Sequence, residues 1–324
     1  MKAIILAAGY ATRLYPLTIN KPKALLPIAD KPILDYIVDE IETIDEIDEL
    51  IIVSNHKFYP NFSKWSEEKE TRLKITVLND NTTDDTNKLG AIGDIWYAIE
   101  KLNINDDILV MAGDNIFTFR LKDYFNAYKE KNSDMILVKQ MSRIEDLQRM
   151  ANVELDTGGK VIGMVEKPQN PKTNLAAFAS YIYKKDTVPM IKKYLDEGNN
   201  PDAPGFFPSW LFKHKDVYAY SFTGECYDIG TPQSYKEVNE IYARRMSGEV
   251  LSENVLDMAS AIDGEYINFL FTHEVTDENP HVFEIRLTPS EELKATELGI
   301  YTAEDGQLLT QAHKYFNIFL KKYL

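Results

Sequence analysis

Short apolar runs alternate with apolar residues at helical spacing, and this alternation limits the fold more than any other feature of the chain. The runs cover residues 3–8, 50–53, 74–78, 108–112 and 135–138. Between them, Ile33, Leu34, Ile37, Val38, Ile41 and Ile44 repeat with a helical period. Further helices are predicted over part of 58–70 and over about 91–101 and 121–131. Strands that alternate with helices argue for a mostly parallel sheet with helices on both faces. From about 150 to 228 the pattern changes. Runs at 153–155, 161–165, 177–183 and 217–222 predict a more antiparallel insert, interrupted by helices at 186–197 and 208–214. A helical pattern returns at 231–247.

Residues 248–324 read as a separate small α+β unit of unknown role, so the predicted domains are 1–247 and 248–324. Asp263-Gly264 and Asn279-Pro280 mark turns, 281–287 reads as a strand, and 311–324 carries a helical apolar face with Tyr315, Phe316, Phe319 and Leu320. No internal repeat is present. In particular the tail has no hexapeptide repeat, which argues against a left-handed β-helix.

Composition excludes several classes of function. No run of about twenty apolar residues indicates a membrane span, and the first apolar stretch is shorter than a signal h-region. The single Cys226 cannot form an internal disulfide, so a reducing cytoplasm is expected. A net charge of −15 disfavours nucleic acid and anionic membranes as partners. The first 31 residues oppose that trend: Lys2, Arg13, Lys21, Lys23 and Lys31 against Asp30, five cations and one anion, give +4. A basic island in an acidic chain suits a small anionic ligand.

The loop after the first strand sits in that island and reads LAAGYATRLYPLTINKPKALLP from Leu6 to Pro27. A glycine straight after a strand lets backbone N–H groups approach a polyphosphate. Arg13 and Lys23 add fixed positive charge. The spacing of Gly9, Thr12, Arg13, Leu14, Pro16, Leu17, Thr18, Pro22, Lys23 and Pro27 resembles the G-x-x-T-R-L-x-P-L-T and P-K-x-x-x-P signature of the sugar nucleotidyltransferases, the nucleotide-sugar pyrophosphorylases. Tyr10 and Ala11 stand where the family often has glycine. The motif set is most similar to that of glucose-1-phosphate thymidylyl- and uridylyltransferases.

Four further elements extend the resemblance over roughly residues 1–245. MAGDN puts Asp114 at the carboxyl end of a strand, where open α/β sheets bind ligands. YDIGTPQSY puts Asp228 before a Gly-Thr-Pro turn. The resemblance implies that these aspartates share one Mg²⁺ with substrate phosphates. VEKPQ supplies Glu166 and Lys167, which it assigns to sugar hydroxyls and sugar phosphate. KLGAIGD carries Gly90, in the turn that places base and ribose. Asn79 stands where relatives carry a base-reading amide, and Tyr181 aligns with a residue near the sugar phosphate or is a buried strand tyrosine.

The implied fold is thus α/β, a Rossmann-like mostly parallel sheet with an antiparallel sugar-binding insert and a small C-terminal extension. The implied activity joins a nucleoside triphosphate, dTTP or UTP favoured, to a sugar 1-phosphate with release of pyrophosphate. Arg13 and Lys23 are the candidate catalytic residues. Leu6, Ala8, Gly9, Thr12, Asn79 and Gly90 join Arg13 at the nucleotide, and a homo-oligomer is compatible. Two other readings stay open. One is CTP-dependent transfer to phosphocholine, whose cage could come from Trp96, Tyr97, Phe178, Tyr181, Phe206, Phe207 and Trp210. The other is a non-catalytic nucleotide-sugar-binding subunit. The five histidines show no metal spacing, and phosphoryl-type transfer needs no nucleophilic side chain.

Overall fold

A computed structural model describes residues 1–246 and four later strands within 261–298. Its contacts divide the chain into two units, Met1–Asn239 and Glu240–Leu324. In the first unit, β1 (Lys2–Leu6) leads through a long loop to a two-strand hairpin, β2 (Pro27–Ile28) and β3 (Lys31–Pro32), and then α1 (Ile33–Glu42). There follow β4 (Glu49–Ser54), α2 (Tyr59–Glu68), β5 (Lys74–Asn79), α3 (Ala91–Leu102) and β6 (Ile108–Ala112). Next come β7 (Asn115–Phe117), α4 (Leu121–Lys131), β8 (Asp134–Gln140) and the short α5 (Ile144–Leu147). The region predicted as an insert forms β9 (Ala151–Leu155), β10 (Val161–Glu166), β11 (Leu175–Tyr183), α6 (Val188–Asp196), α7 (Phe206–Leu211) and β12 (Val217–Ser221). β13 (Cys226–Asp228) follows, and α8 (Pro232–Met246) runs across the boundary between the two units.

Local chemistry explains these elements. All six residues of β4 are buried, as expected of a strand covered on both faces. Successive side chains point to opposite faces. Ile4, Ile51 and Val53 share one core cluster with residues of α3, α6 and α7, while α1 packs with α4. Each fully buried isoleucine in these layers contributes roughly 1.5–3 kcal/mol of apolar transfer. Asn103 and Asn132 end α3 and α4 in the left-handed region, at φ 50° in both cases. Asparagine tolerates that conformation better than most residues.

Nine described strands make one sheet. β4, β1 and β6 run parallel, as do β4 and β5. The insert strands extend this same sheet: β11 lies antiparallel to β6, β9 antiparallel to β11, and β10 antiparallel to β9. β12, predicted within an antiparallel region, instead runs parallel to β8. Sequence reading also missed the ribbon of β13 and β7, where Asp228 faces Asn115. Strands of three residues leave no readable period.

Register decides which end of the insert meets the signature loop. Ser180 of β11 pairs with Met111 of β6, and Ala177 lies beyond it, towards the end where β6 finishes. Ala177 pairs with Ala151, and Ala151 with Glu166. Glu166 is therefore brought to the edge of the sheet at which β1 and β6 end.

The second unit contains an antiparallel sheet of β14 (Ala261–Asp263), β15 (Tyr266–His273), β16 (His281–Leu287) and β17 (Thr296–Leu298). The strand predicted at 281–287 coincides with β16. The helical face predicted at 311–324 lies outside the described residues.

Candidate active site

The loop after β1 is held from below. Ala7 N–H donates to Val53 O at 3.0 Å, and Gly113 N–H donates to Leu6 O at 3.0 Å. The Asn55 amide donates to Ala8 O at 2.8 Å and its oxygen accepts from Phe58 N–H at 2.9 Å. The buried Thr18 hydroxyl donates to Ala11 O at 2.8 Å, closing the loop across its left-handed residue Ala11. Asn55 was not singled out from the sequence; its signal was an amide directly after a buried strand.

A cleft of about 230 Å³ opens over this loop, lined by Leu6, Ala7, Gly9, Ala11, Arg13, Leu14, Lys23, Ala24, Gly113, Asp114 and Gly230. A Cβ placed on Gly9 would meet nothing within 4 Å. Packing therefore does not demand glycine there; the absent side chain leaves backbone open to the cleft. Arg13 is exposed and has no hydrogen-bond or ion-pair partner among the described residues. Thr12 is exposed on the same 3₁₀ turn but does not line the cleft, and Ala8 supports the loop through its carbonyl.

Three charged groups distant in sequence meet at the cleft. Lys23 starts a 3₁₀ turn after Pro22, and its side chain is only 12% exposed. Its Nζ lies 2.7 Å from Asp114 Oδ2 and 3.4 Å from Asp228 Oδ1. Asp114 follows β6, Asp228 ends β13, and Ile229 N–H donates to Asp114 O at 3.4 Å. The β7–β13 ribbon is thus the device that carries Asp228 to Asp114.

Other predicted residues are placed differently. Asn79 ends β5, where its oxygen accepts from Asn81 N–H at 2.8 Å and its nitrogen lies 3.1 Å from His56 Nδ1. Gly90 is at φ 80°, and a Cβ there would lie 2.5 Å from Pro201 O. Glycine is required at that position by packing on Pro201. Ile92 N–H and Ala91 N–H then donate to Pro201 O and Asp202 O. Tyr181 is a core residue, 2% exposed and stacked on Tyr183 at 5.9 Å. Burial and the neighbouring Glu166 carboxylate raise its phenol well above the ordinary value.

Glu166 has a side chain 7% exposed, and burial pushes its carboxyl up, offset in part by Lys167 Nζ at 3.9 Å. Lys167 is half-exposed at φ 48°, a conformation disfavoured for a residue with a Cβ. Its N–H donates to Met150 O at 3.1 Å, which fixes the turn.

A second acidic pair, absent from the sequence reading, lies beneath the loop. Asp80 and Asp94 are each 6% exposed, beside the buried Tyr10 and Thr82. Burial and the facing Asp80 carboxylate push the Asp94 carboxyl up to about 8. Asp80 accepts from Thr82 N–H and hydroxyl, at 2.7 and 2.8 Å. In the unfolded chain Asp94 loses its proton near pH 4, at about the model-peptide value; in the folded protein it keeps it to about 8. Stability from this group is full below about pH 4, falls as pH rises, and is lost past about 8. Between about pH 5 and about pH 8 the wild type should lose more melting temperature than Asp94→Asn, whose amide stays neutral. Parallel profiles would mean that Asp94 is ionised in the folded state.

No helix among the described residues is long and apolar enough to cross a membrane. The family described as Nucleotidyl transferase matches residues 2–245 of this chain. A Sulfolobus acidocaldarius protein assigned as a mannose-1-phosphate guanyltransferase is 29% identical over 241 residues, covering 74% of this chain and 62% of that relative. This chain therefore spans less than two thirds of that protein's length. The UTP–glucose-1-phosphate uridylyltransferase of Mycoplasma genitalium is 28% identical over 290 residues, 81% of this chain and 97% of the relative. A crystal structure assigned as a Bacillus anthracis glucose-1-phosphate thymidylyltransferase, in complex with sucrose, matches with a TM-score of 0.64 at 24% identity. That match covers 75% of this chain and 95% of the other, and it shows a shared fold. The signature loop, the open α/β sheet and the match across residues 2–245 together make this chain a member of the nucleotidyl transferase family.

Proposed function

We propose that the cleft joins a nucleoside triphosphate to a sugar 1-phosphate and releases pyrophosphate, forming a nucleotide sugar. One observation carries the reading: Lys23 is held between Asp114 and Asp228 at the rim of a cleft floored by the Gly9 loop. A phosphate oxygen of the acceptor attacks the α-phosphorus in line. Lys23 stabilises charge at that phosphorus, where a positioned cation acts most strongly. Arg13, without a partner among the described residues, holds the leaving pyrophosphate. Glu166 and Lys167 hold the sugar and its phosphate, with Tyr181 beneath them. Asn79 and Gly90 border the base and ribose, and dTTP or UTP is the favoured donor.

The residues fit magnesium. The Lys23 ammonium already lies between one oxygen of each aspartate, a position that suits a cation. No group of three or more His, Cys, Asp or Glu side chains suited to a metal occurs among the described residues. Two carboxylates with the remaining positions left to phosphates and water match the habit of Mg²⁺. Held by Asp114 and Asp228, the ion would supply charge neutralisation across the phosphates. The lone Cys226 supports a reducing cytoplasm as the compartment.

A sugar is favoured over phosphocholine because several of the aromatic residues that could cage choline are committed to the core. Phe178, Tyr181 and Phe207 are buried, and Phe207 packs with Tyr183, Tyr194 and Trp210. Tyr97 OH donates to Asn79 O at 2.7 Å. The joint retention of Arg13, Lys23, Asp114 and Asp228 supports catalysis over a purely regulatory role.

The test is pyrophosphate release from a matrix of triphosphates and phosphorylated acceptors with Mg²⁺. Release with a sugar 1-phosphate is expected; release only with a non-sugar acceptor would overturn the sugar assignment. Asp114→Asn and Asp228→Asn should each weaken Mn²⁺ binding in the presence of the triphosphate, measured by electron paramagnetic resonance. As two ligands of one ion their effects should be far from additive. Additive losses would assign them separate roles.

A further inference from the structure

Gly205 precedes α7 with φ −73° and ψ −12°, a backbone conformation open to any residue. Conformational freedom therefore does not explain the glycine. A Cβ built there would fall on Glu166 Oε2, 3.0 Å from Glu166 Cδ and 3.3 Å from Ala151 Cβ. The far end of the Glu166 side chain thus occupies the space left by the missing methyl group. Glu166 accepts no hydrogen bond from any described residue, although its side chain is 7% exposed. Among the described residues its charged neighbour is Lys167 Nζ, 3.9 Å away. A carboxylate only accepts, and one so buried calls for donors from elsewhere.

We propose that Gly205 is a positioning and specificity-determining residue of the acceptor subsite, clearing the space that lets Glu166 present its carboxylate to donor hydroxyls of a polyhydroxylated acceptor phosphate. The proposal rests on the function proposed above. It explains why α7 is preceded by a residue that has no side chain at a point where the backbone conformation tolerates one. It also confines the effect to the acceptor side. The turn at Gly90 is held by the backbone of Pro201 and Asp202, through bonds that a methyl group on Gly205 does not touch.

The test is a double-mutant cycle of Gly205→Ala and Glu166→Ala in the full chain. It is read as KM for a sugar 1-phosphate, KM for the triphosphate, and melting temperature. Calorimetric binding of the sugar 1-phosphate reads the same cycle without turnover. Gly205→Ala should raise acceptor KM roughly 10- to 100-fold, the scale of a lost hydrogen bond to a charged group. Triphosphate KM should stay within about twofold, and on the Glu166→Ala background the same substitution should cost nothing further. An equal loss in both backgrounds would make Gly205 merely structural and overturn the proposal, with wild-type turnover leaving the proposed function intact. Loss of folding in Gly205→Ala that persists with Glu166→Ala would overturn it in the same way. A wild type that neither turns over nor binds any sugar 1-phosphate would overturn both.

Discussion

Lys23→Ala is expected to lower turnover by about 10²–10³-fold, the scale of removing one positioned donor of transition-state charge, or about 3–4 kcal/mol. The geometry explains why the loss should be that large. The Lys23 side chain is 12% exposed, and its Nζ is fixed at 2.7 Å from Asp114 and 3.4 Å from Asp228. A truncated side chain leaves two carboxylates facing the phosphates with no ammonium between them. The fold should barely respond, because Asp114 and Asp228 are 36% and 71% exposed and water can solvate them. Exposed pairs of this kind contribute about 0–1 kcal/mol. Single-turnover pyrophosphate release beside a melting curve checks both halves. Activity within a few fold of wild type would remove Lys23 from the mechanism.

Asp134→Ala should produce the largest loss of stability, about 3–5 kcal/mol, with the chemistry of the folded fraction unchanged. Asp134 begins β8 and is 0% exposed. It accepts from Lys184 N–H at 2.7 Å, from the Thr187 hydroxyl at 2.7 Å, and pairs with Lys215 Nζ at 3.0 Å. One carboxylate thus joins β8, the turn into α6 and the approach to β12. Burial pushes its carboxyl up, and the three partners pull it back. Alanine would leave a part-buried N–H and a buried hydroxyl without their acceptor and take from Lys215 one of its two carboxylate partners. Urea denaturation monitored by circular dichroism gives the difference. A loss under about 1 kcal/mol would mean that water or Asp186, already 2.7 Å from Lys215, takes over the network.

Much of the fold was legible because apolar period and burial coincide. The run at 50–53 became β4, with every residue buried, and the spacing from Ile33 to Ile41 became the inward face of α1. Legibility failed where an element is too short to show a period. β7 and β13 have three residues each, and together they bring Asp228 beside Asp114. β12 was legible as a strand but not in its direction, because pairing with β8 is a choice among neighbours that no local pattern encodes.

The candidate site divides in the same way. Gly9, Arg13, Lys23, Asp114 and Asp228, the residues proposed to meet the phosphates and their metal, were nameable from the sequence, since their chemistry and spacing lie in the sequence itself. Other positions take their surroundings from packing that no local pattern shows. Tyr181 is in the core, and the amide of Asn79 is already occupied by Asn81 and His56. Gly90 answers to the Pro201 backbone, and Gly205, unremarked in the sequence, answers to Glu166.

By itself, then, the sequence determined the order of the longer strands and helices and the charge of the loop after β1. Both follow from local periodicity and from side-chain chemistry that does not depend on distant residues. Tertiary structure alone decided which of those charges meet. Lys23 reaches Asp114 across 91 positions and Asp228 across 205. Asp94 keeps its proton because Asp80 faces it in a buried space. Such encounters depend on strand register and on the exclusion of water, and both arise only when segments far apart in the chain pack together.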